Sequence, residues 1–315
     1  MSYKTYFLKK TQTCFISLLL VWSAQVLSAP QVVVSITPFH GLVAAVMQNV
    51  GTPTLLVEPG ASPHHYTLKP SQMKLLNSAD VIFWAGPTLE SFLTKALNTL
   101  QPHHPRMVQF DSLKDLHWLP MDGDDCDHHD HLHSHRDMHF WLDPINAIVL
   151  TRSIVETLSS VDPTNAQQYQ ENGRLTIERL QELDTATMAS LEVIQKKTFI
   201  VFHNAYQYFT KRYHLNDVGA ITINPEIPPS VKQLQKIRRS IKEAHAVCVF
   251  TEPQFQPKIV QSIVKNLSIR VGELNPLGTT SSTPQNDYFL MIEALTYDLK
   301  ACLQPDGDNT QQSKP

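Results

Sequence analysis

Short β-branched runs alternate along this chain with longer stretches whose apolar residues recur at helical spacing. Residues 31–37 read as a strand, Gln31-Val-Val-Val-Ser-Ile-Thr37, with a helix over 42–48. A strand over 54–57 leads into a loop rich in Pro and His, 59–70, and a helix over 71–77. A strand over 81–85, a helix over 89–100 and a short strand near 107–110 follow. Strands that alternate with helices in this way predict parallel sheets covered on both faces.

The middle of the chain breaks the rhythm. Pro144 opens a helix that runs to about residue 160, placed in the first turn where its missing N–H costs nothing. From Pro163 to about Gln195 there is no further Pro, and Ile177, Leu180, Leu183, Leu191 and Ile194 mark one face of a much longer helix. Gly173 costs ~1 kcal/mol against Ala but does not by itself end a helix. Beyond it, strands are expected over 198–202, 218–223, 246–250 and 269–273. Helices are expected over 205–213, 230–243, 257–266 and 287–303. The fold class is therefore α/β, with two lobes, each a mainly parallel sheet flanked by helices, joined by one long helix. The divisions are a leader over 1–29, a first lobe over 30–161, the linking helix over 162–195, a second lobe over 196–304 and a polar tail over 305–315 expected to be disordered.

The leader reads as an export signal. Lys4, Lys9 and Lys10 precede an apolar run over 15–21, and small residues follow at Ala24, Ser28 and Ala29. That run is too short to span a bilayer, so the mature chain is expected to be a soluble, periplasmic monomer. Loss of the leader removes three of the 26 basic residues and none of the 29 acidic ones. The acidic balance this leaves argues against nucleic acid as a partner. Export also bears on cysteine: Cys248, in an apolar strand, and Cys302, near the end of the last helix, are expected to pair. The alternative is two inert buried thiols.

Composition changes the picture most at residues 121–138. From Asp122 to His139 six of the residues are His and six are Asp, with almost nothing apolar to bury. Such a tract suits divalent metals, imidazole favouring zinc and its borderline neighbours. His128, His129, His131, His133 and His135 are its candidate auxiliary ligands, and Cys126 stands among them. Three other histidines fall at or near strand ends, where ligands bind in open parallel sheets. They are His64 after the second strand, His139 where the tract re-enters apolar sequence, and His203 directly after the strand over 198–202. A single such His is more often a hydrogen-bonded structural residue. Three neutral imidazoles from two lobes make a first shell for zinc with a fourth position left over.

Six stretches carry a specific resemblance: Glu58-Pro-Gly-Ala-Ser-Pro-His-His-Tyr66, Asp137-Met-His-Phe-Trp-Leu142, Phe202-His-Asn-Ala-Tyr206, Asn224-Pro-Glu-Ile227, Glu252-Pro-Gln-Phe255 and Leu274-Asn-Pro-Leu-Gly278. In order and over nearly the whole mature chain they resemble the periplasmic binding proteins of high-affinity zinc ABC transporters. The resemblance implies two α/β lobes on one rigid helix, metal between them, and His64, His139 and His203 as ligands. It implies Zn²⁺ as cargo and a membrane permease as partner. Manganese and iron relatives generally carry Glu at the position of His203. Two departures stand out: Asn275 where many relatives have an Asp ligand, and Pro63 where some zinc binders have Glu. The fourth position is then Asn275, a water or His135. The alternatives are a manganese or iron receptor of the same family, a secreted zinc hydrolase, since three His and a water is also a catalytic pattern, and a metal-storage or adhesin-like surface protein. The hydrolase reading lacks an H-E-x-x-H run and a clearly placed general base, so no enzyme is expected. Glu226, in a loop after a strand, is a weaker candidate for the cleft; His65 is read as peripheral.

Overall fold

The computed structural model describes residues 29–100, 105–121, 136–222, 230–255 and 258–304. The first sheet consists of β1 (Val32–Val34), β2 (Thr54–Leu55), β3 (Val81–Trp84) and β4 (Arg106–Gln109). The intervening helices are α1 (Thr37–Val46), α2 (Pro70–Ser78) and α3 (Ser91–Asn98). Next come α4 (Pro144–Val161) and α5 (Ala166–Leu191). The second sheet consists of β5 (Thr198–His203), β6 (Asn216–Thr222), β7 (Cys248–Thr251) and β8 (Arg270–Glu273), with helices α6 (Gln207–Arg212), α7 (Val231–Glu243), α8 (Lys258–Val264) and α9 (Asp287–Leu303).

Both sheets are parallel, in the orders β2-β1-β3-β4 and β6-β5-β7-β8. Each therefore reverses winding direction next to its first strand, which opens a crevice at the carboxyl ends of the strands. Central strands β1 and β3 are buried throughout, as expected for strands covered on two sides, while β8 is largely exposed at its edge.

The core is continuous across both lobes. Phe39 and Val43 of α1, Ile154 of α4, Leu180 of α5, Phe199 and Phe250 of the second sheet and Tyr288 of α9 belong to one cluster. Two smaller clusters lie on the outer faces, under α2 and α3 in the first lobe and under α7 and α8 in the second. Gly173 shows why the long helix tolerates it. A Cβ there would meet Val155 Cγ2 of α4 at 2.2 Å, so the absent side chain lets the two helices close on each other. With 26 residues, α5 is ~39 Å long, and single 3₁₀ turns, Pro163–Asn165 and Glu192–Ile194, extend it to the expected limits.

The expected elements are present with shifted ends. The largest shift is at the first: the strand stops at Val34 and α1 begins at Thr37, not 42. Pro38 is the cause, because its fixed φ suits the first helical turn and starts the helix straight off the strand. The strand over 198–202 extends one residue further, so His203 is its last residue. Residues 1–28 of the leader, the tail and the five tract histidines His128, His129, His131, His133 and His135 lie outside the described residues, as do Cys126 and Glu226.

Cys248 and Cys302 form a disulfide with Cα atoms 6.1 Å apart, tying the last turn of α9 to β7. The bridge closes a loop of 54 residues, so it constrains the unfolded chain strongly. Replacing both cysteines by Ser is expected to lower the unfolding free energy by about 2–4 kcal/mol. Equilibrium denaturation in urea would show it as an earlier midpoint, with a steeper slope because the unlinked unfolded chain exposes more surface.

Candidate metal centre

Three imidazoles converge at the carboxyl ends of the strands. His64 stands in the loop after β2, which turns at Gly60 with φ +82° and is steadied by the His64 N–H donating to Ser62 Oγ at 3.3 Å. His139 precedes α4 by one short turn, and His203 ends β5. His139 Nε2 lies 3.4 Å from His64 Nε2 and 3.1 Å from His203 Nε2. One ligand atom from each of the three falls within 4.8 Å of the others, the only such cluster among the described residues. Two nitrogens bound to one tetrahedral zinc at ~2.0–2.1 Å stand about 3.3–3.4 Å apart, which is close to the observed spacing.

Two carboxylates dictate which ring nitrogen faces inward. Asp137 Oδ1 accepts from both the His139 backbone N–H (2.9 Å) and His139 Nδ1–H (2.7 Å). Glu252, the residue directly after β7, accepts from His203 Nδ1–H at 2.8 and 3.0 Å. Both acids are buried, at 0% and 3% exposure. An ionised carboxylate only accepts, so each Nδ1 must hold the proton and each Nε2 must present a lone pair. With both rings in their neutral form, two lone pairs face each other at 3.1 Å, an arrangement that a cation stabilises.

The surroundings intensify that attraction. Trp141, Phe255, Pro276 and Leu277 wall the site, and Trp141 Nε1–H donates to Pro276 O at 2.8 Å, from first lobe to second. Burial excludes water and lowers the local dielectric. Burial first, and then the neighbouring rings of His139 and His203, push the His64 imidazole from its ordinary 6.5 down to about 2. It is neutral at pH 7 with a lone pair to give. Beside Glu252, the buried Tyr206 phenol is held well above its usual range, first by burial and then by that carboxylate.

The three histidines expected from the sequence are brought together here; their partners were not foreseen. Asp137 is one of six Asp in its tract and compositionally indistinguishable from the others. Glu252 had a usable signal, a carboxylate directly after a strand that neighbours the strand of His203. Asn275, the expected candidate for the fourth position, does not line the cavity beside the trio. Its Oδ1 accepts from Gln254 Nε2–H (2.8 Å) and Leu277 N–H (3.1 Å), which commits both lone pairs. His135 lies outside the described residues. His65 is exposed, and His117 stands at the surface 3.7 Å from Asp143. A larger groove of about 990 Å³ runs along α5 and α9 past Arg179 and Tyr297 and includes none of the three histidines.

This is the architecture of a two-lobed α/β substrate-binding protein, with three histidines from both lobes converging between them. The backbone superposes on a crystal structure of ZnuA with a TM-score of 0.76 at 22% identity, covering 87% of this chain and 99% of that one. It matches the periplasmic zinc binding protein TroA of Treponema pallidum with a TM-score of 0.76 at 19% identity, covering 87% and 99%. The chain belongs to the family described as zinc-uptake complex component A, periplasmic, whose sequence profile matches residues 32–302. Among its relatives is the high-affinity zinc uptake system protein ZnuA of Brucella abortus (strain 2308), 39% identical over 305 residues, covering 86% of this chain and 91% of the relative. The protein of the same name from Yersinia pestis is 32% identical over 309 residues, covering 93% and 97%.

One pH consequence follows from His64. In the unfolded chain its ring takes a proton near 6.5, whereas the folded chain resists protonation down to about 2. Stability is therefore intact above pH 6.5 and lost progressively as pH falls below it. Chelator-stripped protein is expected to show this acid decline in thermal melts, and His64→Phe to show a shallower one. Parallel curves for the two proteins would remove His64 as a source of the acid sensitivity.

Proposed function

We propose that the protein captures Zn²⁺ on His64, His139 and His203 between its lobes and delivers it to the permease of an ABC importer. The observation that carries this reading is the spacing of three inward Nε2 atoms, two of them fixed as lone-pair donors by Asp137 and Glu252. Three neutral imidazoles supply ligands that suit zinc, and no thiolate or carboxylate among them favours copper(I) or harder ions. Membership of a periplasmic zinc-uptake family supports the location, the cargo and the permease partner. No bond is broken in this role: Asp137 and Glu252, the carboxylates beside the trio, are occupied in orienting His139 and His203.

The His/Asp-rich tract serves as a collector of the same ion. Its foot is closed by an antiparallel bridge between Pro120 and Arg136, and Asp137 N–H donates to Leu119 O at 2.9 Å. Ions gathered by His128, His129, His131, His133 and His135 are thereby released next to His139. Deletion of residues 123–135, which spares Asp137, is expected to lower the number of zinc ions bound while keeping the tightest one. Calorimetric stoichiometry that stays the same would exclude the tract from binding.

The central reading is tested by titrating chelator-stripped protein with Zn²⁺ against Mn²⁺. Tight zinc binding that manganese does not displace, and that collapses in His203→Ala, is the expected outcome. Zinc binding that survives that substitution would show that the cleft is not the main site. Glu252→Gln, which removes the charge that orients His203, is expected to weaken zinc by about 10–100-fold.

A further inference from the structure

The fourth side of the histidine trio has its own machinery. Imidazole nitrogens 3.1 and 3.4 Å apart leave no space for a water among them. The cavity that adjoins them, about 10 Å³, therefore lies on the open side of the trio and has room for about one water. Gln254 lines that cavity, together with the three histidines and Ser62. Its Oε1 is buried and accepts from no donor among the described residues. Buried carbonyl oxygens are rarely left so, and each exception calls for a ligand or water.

The direction in which this oxygen points is fixed by a chain of three hydrogen bonds. The Leu277 backbone N–H can only donate, so the atom of Asn275 that it meets at 3.1 Å is the oxygen, Oδ1. Asn275 Nδ2–H in turn donates to Gly278 O at 2.8 Å, which agrees with that assignment. Because Asn275 Oδ1 is an acceptor, the Gln254 atom 2.8 Å from it must be Nε2, and the remaining amide atom, Oε1, is the unpartnered one. The amide cannot flip without placing two oxygens against each other.

We infer that Gln254 Oε1 holds a zinc-bound water in the fourth coordination position, and that Asn275 is its positioning residue rather than a ligand. The inference rests on the proposed zinc site. A water on zinc is a strong donor because the ion draws charge from it, and a neutral amide oxygen accepts from it without adding charge. That restricts the fourth place to a group that can donate a hydrogen bond. It also accounts for Asn at position 275: the side chain must accept from Gln254 and donate to Gly278 at once, and a carboxylate cannot donate.

The test uses the mature protein, zinc competition against a chromophoric chelator, and the visible spectrum of the cobalt-substituted form. Gln254→Met keeps the bulk and removes the acceptor; it is expected to weaken zinc by about 10–100-fold, with the melting temperature of the metal-free protein unchanged. Asn275→Ala is expected to resemble Gln254→Met, and the double variant to lose no more than either alone, because both act on one oxygen. Cobalt-loaded Gln254→Met is expected to change its spectrum on addition of thiocyanate, which replaces the loosened water, while the wild type does not. Wild-type zinc affinity in Gln254→Met, or additive losses in the double variant, would overturn the inference. If the wild type itself bound zinc independently of His203, the failure would lie with the zinc site instead.

Discussion

Everything at the site depends on two buried lone pairs held 3.1 Å apart. Left alone, His139 and His203 would lower their energy by sharing a proton or by turning a ring away. Asp137 and Glu252 prevent the second, because each carboxylate accepts the Nδ1 proton and fixes the plane of the ring it holds, and they make each Nε2 a stronger base for a cation in place of that proton. The rest of the fold supplies the leverage. Asp137 is itself held by Tyr208 Oη–H on its carbonyl at 3.0 Å and by Gln207 Nε2–H on Oδ2 at 3.3 Å, both from α6 of the second lobe. A proposed ligand of the first lobe is therefore oriented by residues of the second.

That cross-lobe bracing belongs to a wider pattern. The core runs without a break from α1 through α4 and α5 to α9. Trp141 reaches Pro276 across the divide, and Tyr288 Oη–H donates to Trp141 O at 2.7 Å. Arg212 of α6 pairs with Asp184 of α5 and lies 3.4 Å from Asp143, the cap of α4. Receptors that close like a jaw separate such contacts by a hinge. Here a hinge motion would have to separate packed apolar surface. His64 is the least clamped of the three histidines: it stands in a surface loop, half-buried, while the other two are buried.

The sequence made the scaffold legible because its signals are local. Periodicity marks α5 and α9, and uninterrupted apolar runs mark β3 and β5. The three histidines stood out because strand ends are where side chains meet in such sheets. What it could not show is pairing at a distance. Asp137 and Glu252 matter only through the ring that each one faces, and Asn275 looked like a ligand because the contacts that occupy its oxygen come from Gln254, 21 residues away, and from the backbone of its own turn. The early start of α1 was local too, but the β-branched run Val32-Val-Val-Ser-Ile-Thr37 outweighed Pro38 in the reading.

The bridge between Pro120 and Arg136 has a consequence of a different kind. It brings the chain back to where it left, so whatever stands between is an excursion whose ends the fold has already joined. The entropy of closing such an excursion grows only with the logarithm of its length. Residues can be gained, lost or exchanged there at little thermodynamic penalty, and the orientation of His139 is set downstream of the join. The tract is in effect a cassette: natural variation, or an engineer, can rewrite its length and chemistry while the coordination geometry beneath it stays as it is.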